Sequence, residues 1–139
     1  MILVIDPSVA TKWFLSDEKN AAADRILDRI TGGDDAWAPE IFRWEIQSAL
    51  LTAQRASRID AEETAEALRT LRDLPVRLDT TGERFMAGAE LQLATVYGLS
   101  VYDAAYLACA ADIGAELVTA DGALEHAGRD LGLSTTLIR

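Results

Sequence analysis

The chain has 139 residues, a formal net charge of −10 and a composition that is 50% hydrophobic. This length predicts a single domain over residues 1–139, and the apolar content argues against a disordered chain. The single Cys and single His exclude a disulfide within the chain, a cysteine-rich zinc site and a zinc site built on several histidines. The acidic balance argues against bulk electrostatic binding of nucleic acid, which normally uses a basic surface.

The N-terminal segment and the later apolar runs predict a soluble cytoplasmic protein with no membrane partner. Asp6 and Pro7 interrupt the apolar start of the chain before it reaches the length of a secretory signal. The uncharged run around Cys109, at 104–111, is far too short to span a bilayer.

Short apolar runs alternate along the chain with longer segments of helical periodicity. The predicted elements are a strand over 2–5, a helix from Pro7 to about Phe14, a helix over about 18–30, a strand over 36–38, a helix over about 39–56, a helix over about 61–73, a strand over 76–78, a helix from about 81 to 97, a helix from 101 to 113, a strand over 116–119, a helix from about 122 to 130 and a strand over 135–138. On the helix over 39–56, the apolar side is predicted to carry Ile41, Trp44, Ala49, Leu50 and Ala53.

Polar residues mark the starts of several of these helices. Three pairs with capping-box spacing are Asp60 with Glu63, Thr80 with Glu83, and Ser100 with Asp103. The alternation of strands and capped helices predicts an α/β fold with a short parallel sheet that helices cover on both faces. Ligands of such sheets bind outside the carboxyl ends of the strands, which draws attention to Asp6 and Asp121.

Three acidic residues stand at helix starts, where each has a purely structural explanation. Asp6 follows the first strand and precedes Pro7, and Asp121 follows the strand over 116–119, so both suit the N-cap position. Asp103 suits the acidic position of a capping box that Ser100 opens.

Glu45 is harder to explain as a surface charge. It lies within a helix between Trp44 and Ile46, with Ile41 and Ala49 one turn away on its own face. An ionised carboxylate in such surroundings is costly unless it is paired or binds a cation. A salt bridge to an arginine is the structural alternative.

The four acids together predict more than each one alone. Two at strand ends, one in a first helical turn and one on an inward helix face can converge on one crevice. Carboxylates held that close repel one another, and a divalent cation removes the repulsion. An all-oxygen ligand set suits Mg²⁺ or Mn²⁺, and such an ion can activate water for displacement at a phosphodiester.

Four segments carry a resemblance to the PIN-domain ribonucleases, and specifically to the VapC toxins of bacterial toxin–antitoxin pairs. They are VIDPSVATKWF at 4–14, Ala38-Pro39-Glu40 leading to Glu45, LSVYDAAYLA at 99–108 and LVTAD at 117–121. The resemblance implies that Asp6, Glu45, Asp103 and Asp121 form a metal-binding acidic cluster with Ser8 and Thr119 as polar neighbours. The alternative for Ser8 is an ordinary first-turn residue, and for Thr119 an ordinary β-branched strand residue.

The same resemblance implies a three-layer α/β/α sandwich and Mg²⁺-dependent cleavage of RNA, with Mn²⁺ as a substitute. It also implies a homodimer, a cognate antitoxin protein, and contact with DNA only through that antitoxin. Two positions depart from the family pattern: Ser48 stands where Asn is frequent, and Gly122 stands where a basic residue is frequent. Neither position is a proposed metal ligand, but both bear on how a substrate would be positioned.

Other functions are weighed against the same residues. A phosphoaspartyl hydrolase needs a second Asp where the chain has Ser8, and a late lysine where the chain has only Lys12 and Lys19. A response-regulator receiver lacks its acidic pair and its late lysine for the same reasons. The remaining alternative is a non-catalytic PIN-like interaction module whose acids are mainly helix caps.

The stretch 54–77 is expected to repel a phosphate backbone least, because its five acidic residues are balanced by five arginines. The structural alternative is a solvated pair of helices laced with ion pairs.

Overall fold

Five short strands form one parallel sheet in the computed structural model, which describes residues 1–80 and 87–139. The strands are β1 (Ile2–Ile5), β2 (Asp35–Pro39), β3 (Val76–Asp79), β4 (Glu116–Thr119) and β5 (Thr135–Leu137). They lie in the order β3-β2-β1-β4-β5, and every pairing is parallel. After β1 the chain adds β2 and β3 on one side of that strand, and it then adds β4 and β5 on the other side. Between β1 and β4 lies the switch point, where ligands of α/β sheets bind.

Helices flank this sheet and complete the α/β/α fold predicted from the sequence. They are α1 (Pro7–Phe14), α2 (Ala21–Thr31), α3 (Phe42–Arg55), α4 (Ala61–Asp73), α5 (Ala89–Tyr97), α6 (Val101–Ile113) and α7 (Gly122–Asp130), with a 3₁₀ turn at Ser16–Glu18. The central helix is α6, which packs against β1, β2 and β4. Its inward side chains Tyr106, Leu107 and Cys109 are fully buried.

Most predicted elements are confirmed, and the differences lie at helix starts. The helix predicted from residue 18 begins at Ala21, because Asn20 caps it by accepting hydrogen bonds from the amides of Ala22 at 2.8 Å and Ala23 at 3.0 Å. The helix predicted from residue 39 begins at Phe42, because Pro39 still belongs to β2 and pairs with Asp79.

The capping signals have three outcomes. The Asp60–Glu63 box is confirmed in both directions, at 2.8 and 3.3 Å. At α6 the amide of Asp103 donates to Ser100 Oγ at 3.0 Å. Of the pair predicted at Thr80 and Glu83, Glu83 lies outside the described residues. The helix predicted over about 81–97 is not continuous: the described helix begins at Ala89, because Gly88 before it adopts a left-handed φ of 72°. The described end of that helix is Tyr97, where Gly98 adopts the left-handed φ of 66° that glycine tolerates best.

One core prediction is wrong. Trp44 was placed on the apolar side of α3, but its side chain is 60% exposed. The face of α3 that reaches the core carries Phe42, Ile46, Leu50 and Ala53, at spacings of four, four and three residues. Trp44 lies two positions from Phe42, or about 200° around the helix, and so points away from the core.

Among the described residues, no single helix is long and apolar enough to cross a membrane. The helices α5 and α6 meet the length and composition criteria only as a pair, and they are bent by 113° at the break between them. The inward face of α6 is packed against the sheet.

Candidate active site

Asp6 stands directly after β1, at the switch point of the sheet. Its backbone amide donates to Val118 O at 3.0 Å, which extends the pairing of β1 with β4 by one residue. Its carboxylate caps α1 by accepting from the amide of Ser8 at 3.4 Å, as the capping interpretation predicted. The residue is only 5% exposed, although no cation is paired with it in the described part of the chain. A cap on a surface helix does not need this degree of burial.

Two hydroxyl groups hold one oxygen of this carboxylate. Ser8 Oγ donates to Asp6 Oδ2, and Thr119 Oγ1 donates to the same oxygen at 3.0 Å. Each hydroxyl also accepts a backbone N–H of the chain leaving β4: Ser8 from Ala120 at 2.9 Å and Thr119 from Asp121 at 3.0 Å. The end of β1 is thereby tied to the end of β4. Within the described ranges Oδ1 of Asp6 receives no hydrogen bond, so it is the oxygen left for a ligand.

Glu45 is held by a tyrosine and not by the arginine of the salt-bridge alternative. Tyr106 on α6 donates its hydroxyl to Glu45 Oε1 at 2.7 Å, across 61 positions of sequence. Tyr106 is fully buried, so its ring fixes where that oxygen lies. Sequence reasoning did not single out Tyr106. Its position one turn after Asp103 on the same helical face was the available signal.

Asp103 is electrostatically coupled to both of these carboxylates. The pKa of Asp6 is raised to about 6, because burial and the charge of Asp103 together outweigh the hydrogen bonds from Ser8 and Thr119 that lower it. Burial likewise raises the pKa of Glu45, partly offset by the Tyr106 hydroxyl, and Asp103 adds to the rise. Burial raises the pKa of Tyr106 far above its usual range, with Glu45 next in effect, so the hydroxyl stays protonated as a donor. Asp6, Glu45 and Asp103 therefore share one electrostatic environment.

Asp121 is placed differently from the other three. It caps α7, and its Oδ1 accepts from the amide of Ala123 at 2.9 Å. Its link to the cluster is its own backbone N–H, which donates to Thr119 Oγ1. The structure thus brings together Asp6, Glu45 and Asp103, and joins Asp121 to them through Thr119.

The donor chemistry of this crevice fits a hard divalent cation. Its ligands are carboxylates, no Lys or Arg of the described chain forms an ion pair with any of them, and Asp6 Oδ1 is open. Within residues 1–80 and 87–139, no three Asp, Glu, His or Cys side chains already surround one point at ligating distance. Ionised carboxylates repel one another, so a bound cation is what would draw them inward.

Three of the five arginines in the stretch 54–77 form ion pairs with acidic residues outside the candidate site. Arg58 donates to Asp17 at 2.7 and 2.8 Å and to Glu18 at 2.8 Å. Arg72 pairs with Asp73 at 3.2 Å, and Arg77 with Asp35 at 3.5 Å. The structural alternative, a helical surface laced with ion pairs, describes these three arginines.

Fold and crevice together define an α/β protein with an acidic site at the carboxyl edge of a parallel sheet. Residues 3–130 match the family model of the PIN domain, so the chain belongs to the PIN domain family. The family resemblance predicted from the sequence is confirmed.

Individual relatives cover nearly the whole chain. The curated protein Ribonuclease VapC3 of Pyrobaculum aerophilum is 26% identical over 121 residues, which is 87% of this chain and 90% of the relative. The crystal structure of PAE2754 from Pyrobaculum aerophilum aligns with a TM-score of 0.68 at 22% identity, over 97% of this chain and 92% of that one. The crystal structure of VapBC2 from Rickettsia felis, in complex with a promoter DNA fragment, provides a second match. It aligns with a TM-score of 0.73 at 15% identity over 100% of both chains. The two structural matches support the fold.

Proposed function

We propose that the chain is a metal-dependent endoribonuclease and the toxin of a toxin–antitoxin pair. The observation that carries this proposal is the acidic site at the switch point of a PIN-domain chain, where burial and the charge of Asp103 raise the pKa values of both Asp6 and Glu45. A buried acid without a cationic partner, held by two hydroxyl groups, is an expensive arrangement for a purely structural role. Binding of a cation would neutralise the buried carboxylate of Asp6 and so offset the cost of its burial.

Each side chain has a separate task in this proposal. Ser8 and Thr119 hold Asp6 Oδ2 and so aim Oδ1 into the crevice. Tyr106 holds Glu45 Oε1, which leaves its second oxygen to orient a water molecule or to bind an ion. Asp103 provides a further carboxylate from the first turn of α6, and Asp121 provides one beside β4. We therefore assign Asp6, Asp103 and Asp121 as metal ligands and Glu45 as a ligand or water-orienting group.

Mg²⁺, or Mn²⁺ in its place, is the cofactor that an all-oxygen carboxylate set favours. Held by these carboxylates, such an ion would supply activation of water and neutralisation of the charge that grows on the scissile phosphate.

The substrate and partners follow from the relatives. The name of Ribonuclease VapC3 supports RNA as the substrate. The VapBC2 complex, which is bound to a promoter DNA fragment, supports an antitoxin partner, and we propose that DNA contacts this chain only through that partner. We further propose one domain over 1–139, a homodimer and a cytoplasmic location.

The test compares RNA cleavage by the wild-type protein with that by Asp6→Asn and Asp103→Asn in Mg²⁺, with Glu66→Gln as control. Glu66 is an exposed acid on α4, remote in sequence from the site. We expect both site variants to lose at least about a hundredfold in rate while remaining folded, because a neutral amide cannot replace an anionic ligand. Glu66→Gln should cleave like wild type. Full activity in both site variants would contradict the assignment.

A non-catalytic interaction module remains the second candidate, because Asp6 and Asp121 do cap α1 and α7. Thermal unfolding with and without Mg²⁺ separates the two. Under the module hypothesis millimolar Mg²⁺ brings no stabilisation specific to Asp6, whereas a metal site stabilises the native state by mass action.

A further inference from the structure

The strand β5 lies at one edge of the sheet and pairs only with β4. Around this strand, Ser134 O accepts a backbone hydrogen bond from β4 and Ile138 N donates one to it, both at 2.9 Å. Successive residues of a parallel strand direct their N–H and C=O groups to alternate sides, so Thr136 also faces β4. The backbone groups of Thr135 and Leu137 therefore point away from the sheet, and no hydrogen bond within residues 1–80 and 87–139 uses them.

A cavity of about 470 Å³ lies between this strand and α2. Thr136 faces α2, because its hydroxyl donates to Glu116 at 2.6 Å and Arg29 of α2 donates to the same carboxylate at 3.0 Å. Ile138, two residues on, lies on that face and lines the cavity. Leu137 alternates to the other face yet also lines the cavity, so the cavity reaches the outer edge of the strand. A helix thus bounds the space on one side and an unpaired strand edge on the other.

The described residues that line this cavity include three arginines and no acid, in a chain whose net charge is −10. Arg29 is neutralised by Asp34 and Glu116. Arg25 and Arg139 form no ion pair or hydrogen bond within the described part of the chain. The rest of the lining is mainly aliphatic. The space therefore favours an occupant that carries both acidic and apolar side chains.

An extended peptide satisfies the strand edge and the cavity together. When a peptide adds to the edge of a sheet, main-chain hydrogen bonds supply affinity, and pockets for alternate side chains supply specificity. A phosphate backbone could pair with the arginines, but phosphate groups accept hydrogen bonds and donate none. It would leave the outward C=O groups of β5 without partners. The edge strand therefore favours a polypeptide over a nucleic acid.

We propose that β5 and α2 form a docking groove for an extended, acidic segment of a protein partner, which adds to the sheet as a sixth strand. Its backbone pairs with Thr135 and Leu137, and its acidic side chains on the α2 face contact Arg25 and Arg139. This inference goes beyond the nuclease proposal and does not depend on it, because none of these four residues belongs to the acidic site.

The test uses defined synthetic peptides and the whole chain. A peptide of alternating Glu and Val is titrated into isotope-labelled protein, and amide chemical shifts and hydrogen exchange are followed by NMR. A peptide of alternating Lys and Val reverses its charge. A third peptide keeps the Glu and Val side chains but carries N-methyl groups on its backbone amides, so it cannot donate hydrogen bonds to a strand.

Four protein variants complete the design. Arg25→Gln and Arg139→Gln each remove one cation of the groove. Arg69→Gln is the matched control, because Arg69 is an exposed arginine of α4 that does not line the cavity. Leu137→Pro removes one outward N–H and keeps the bonds to β4, as proline is tolerated on an edge strand whose N–H faces solvent.

We expect the amides of Thr135 and Leu137 to exchange rapidly in the free protein and to become protected when the Glu–Val peptide binds. The Lys–Val peptide should bind at least about tenfold more weakly, because its charge opposes that of the groove. Each glutamine variant at the groove should bind the Glu–Val peptide about threefold more weakly, within the range of an exposed ion pair. Arg69→Gln should bind like wild type, and the N-methylated peptide and Leu137→Pro should lose the protection.

Four results would overturn the inference. Absence of binding at millimolar Glu–Val peptide would refute the groove, and equal binding of the N-methylated peptide would refute strand addition even if Leu137→Pro failed to fold. Protection of Thr135 and Leu137 in the free protein, with the mass of a dimer, would assign the edge to contact between two copies. Loss of oligouridine binding in Arg25→Gln and Arg139→Gln, with peptide binding unchanged, would assign the arginines to RNA. The nuclease proposal is tested separately by its own variants.

Discussion

Two carboxylates withdrawn from solvent to different degrees lie beside the central strands β1 and β4, at opposite edges of the sheet. Asp6 follows β1 at the carboxyl edge, whereas Glu116 opens β4 at the amino edge and pairs in register with Leu3. Asp6 is buried, with 5% of the residue exposed, whereas Glu116 is partly buried. Glu116 accepts from Arg29 Nη2 at 3.0 Å and from the Thr136 hydroxyl at 2.6 Å, whereas Asp6 accepts from two hydroxyl groups and no cation.

At Glu116 a guanidinium and a hydroxyl group reverse the effect that partial burial has on the pKa. Burial alone would raise the pKa of Glu116, but the hydrogen bonds from Arg29 and Thr136 outweigh it and lower that pKa. At Asp6 burial wins and the pKa rises to about 6. At the amino edge the charge of Glu116 is therefore neutralised by Arg29, which stabilises the fold. At the carboxyl edge no cationic side chain of the described residues neutralises Asp6, so a cation from solution can do so.

The largest effect is expected for stability on substitution of Asp6 by Asn. The pKa of Asp6 in the folded protein lies above its ordinary value of 3.8, so the folded state favours the protonated carboxyl group. The contribution of this group to the free energy of unfolding is therefore fully present below pH 3.8. It is lost as the pH rises through about 6. Without divalent metal, Asp6→Asn should raise the free energy of unfolding at pH 8 by up to roughly 3 kcal/mol, and by little at pH 4. Denaturant titrations at both pH values measure this, and an equal gain at both would contradict it.

The opposite sign is expected at the amino edge. Arg29→Met leaves the partly buried Glu116 without its cation, which should lower the free energy of unfolding at pH 7 by about 2 kcal/mol. The loss should shrink as the pH falls and Glu116 becomes protonated. The double variant Arg29→Met with Glu116→Gln should recover much of the loss in the same denaturant titration. Failure to recover would mean that Arg29 acts through packing alone.

Magnesium should distinguish the two edges. At about ten times its dissociation constant, a ligand that binds only the native state stabilises it by about 1.4 kcal/mol. We expect thermal unfolding to record this stabilisation in wild type and in Arg29→Met, and to record none in Asp6→Asn. Equal stabilisation in all three proteins would place the ion somewhere other than the crevice.

The smallest effects concern the hydroxyl groups at each edge. Thr119→Val removes a donor to Asp6, and Thr136→Val removes a donor to Glu116, each at a cost of about 1 kcal/mol. Both changes should raise the pKa of the adjacent carboxyl group, because each hydroxyl now lowers it. Carboxyl carbon chemical shifts followed against pH measure these changes. An unaltered titration of Asp6 in Thr119→Val would remove Thr119 from the site.

Local signals predicted most of the fold. The apolar strands, the Asp60–Glu63 box and the glycine at 98 depend on neighbours within a few residues, so the chain records them directly. Helix starts were displaced where competing local signals existed, as at Asn20 and Pro39. The positions of Asp6 and Asp121 after their strands were predicted for the same local reason.

Relations across the chain were beyond local reasoning. The partner of Glu45 is Tyr106, 61 positions away, and the partner of Glu116 is Arg29, 87 positions away. The exposure of Trp44 depended on which face of α3 packs into the core, and a shift of two positions along the helix reverses that face. The sequence by itself determined the residue types, the elements and the family. Only the tertiary structure decided which carboxylates were paired with a cation and which were left open, because burial and long-range contacts set their charge balance.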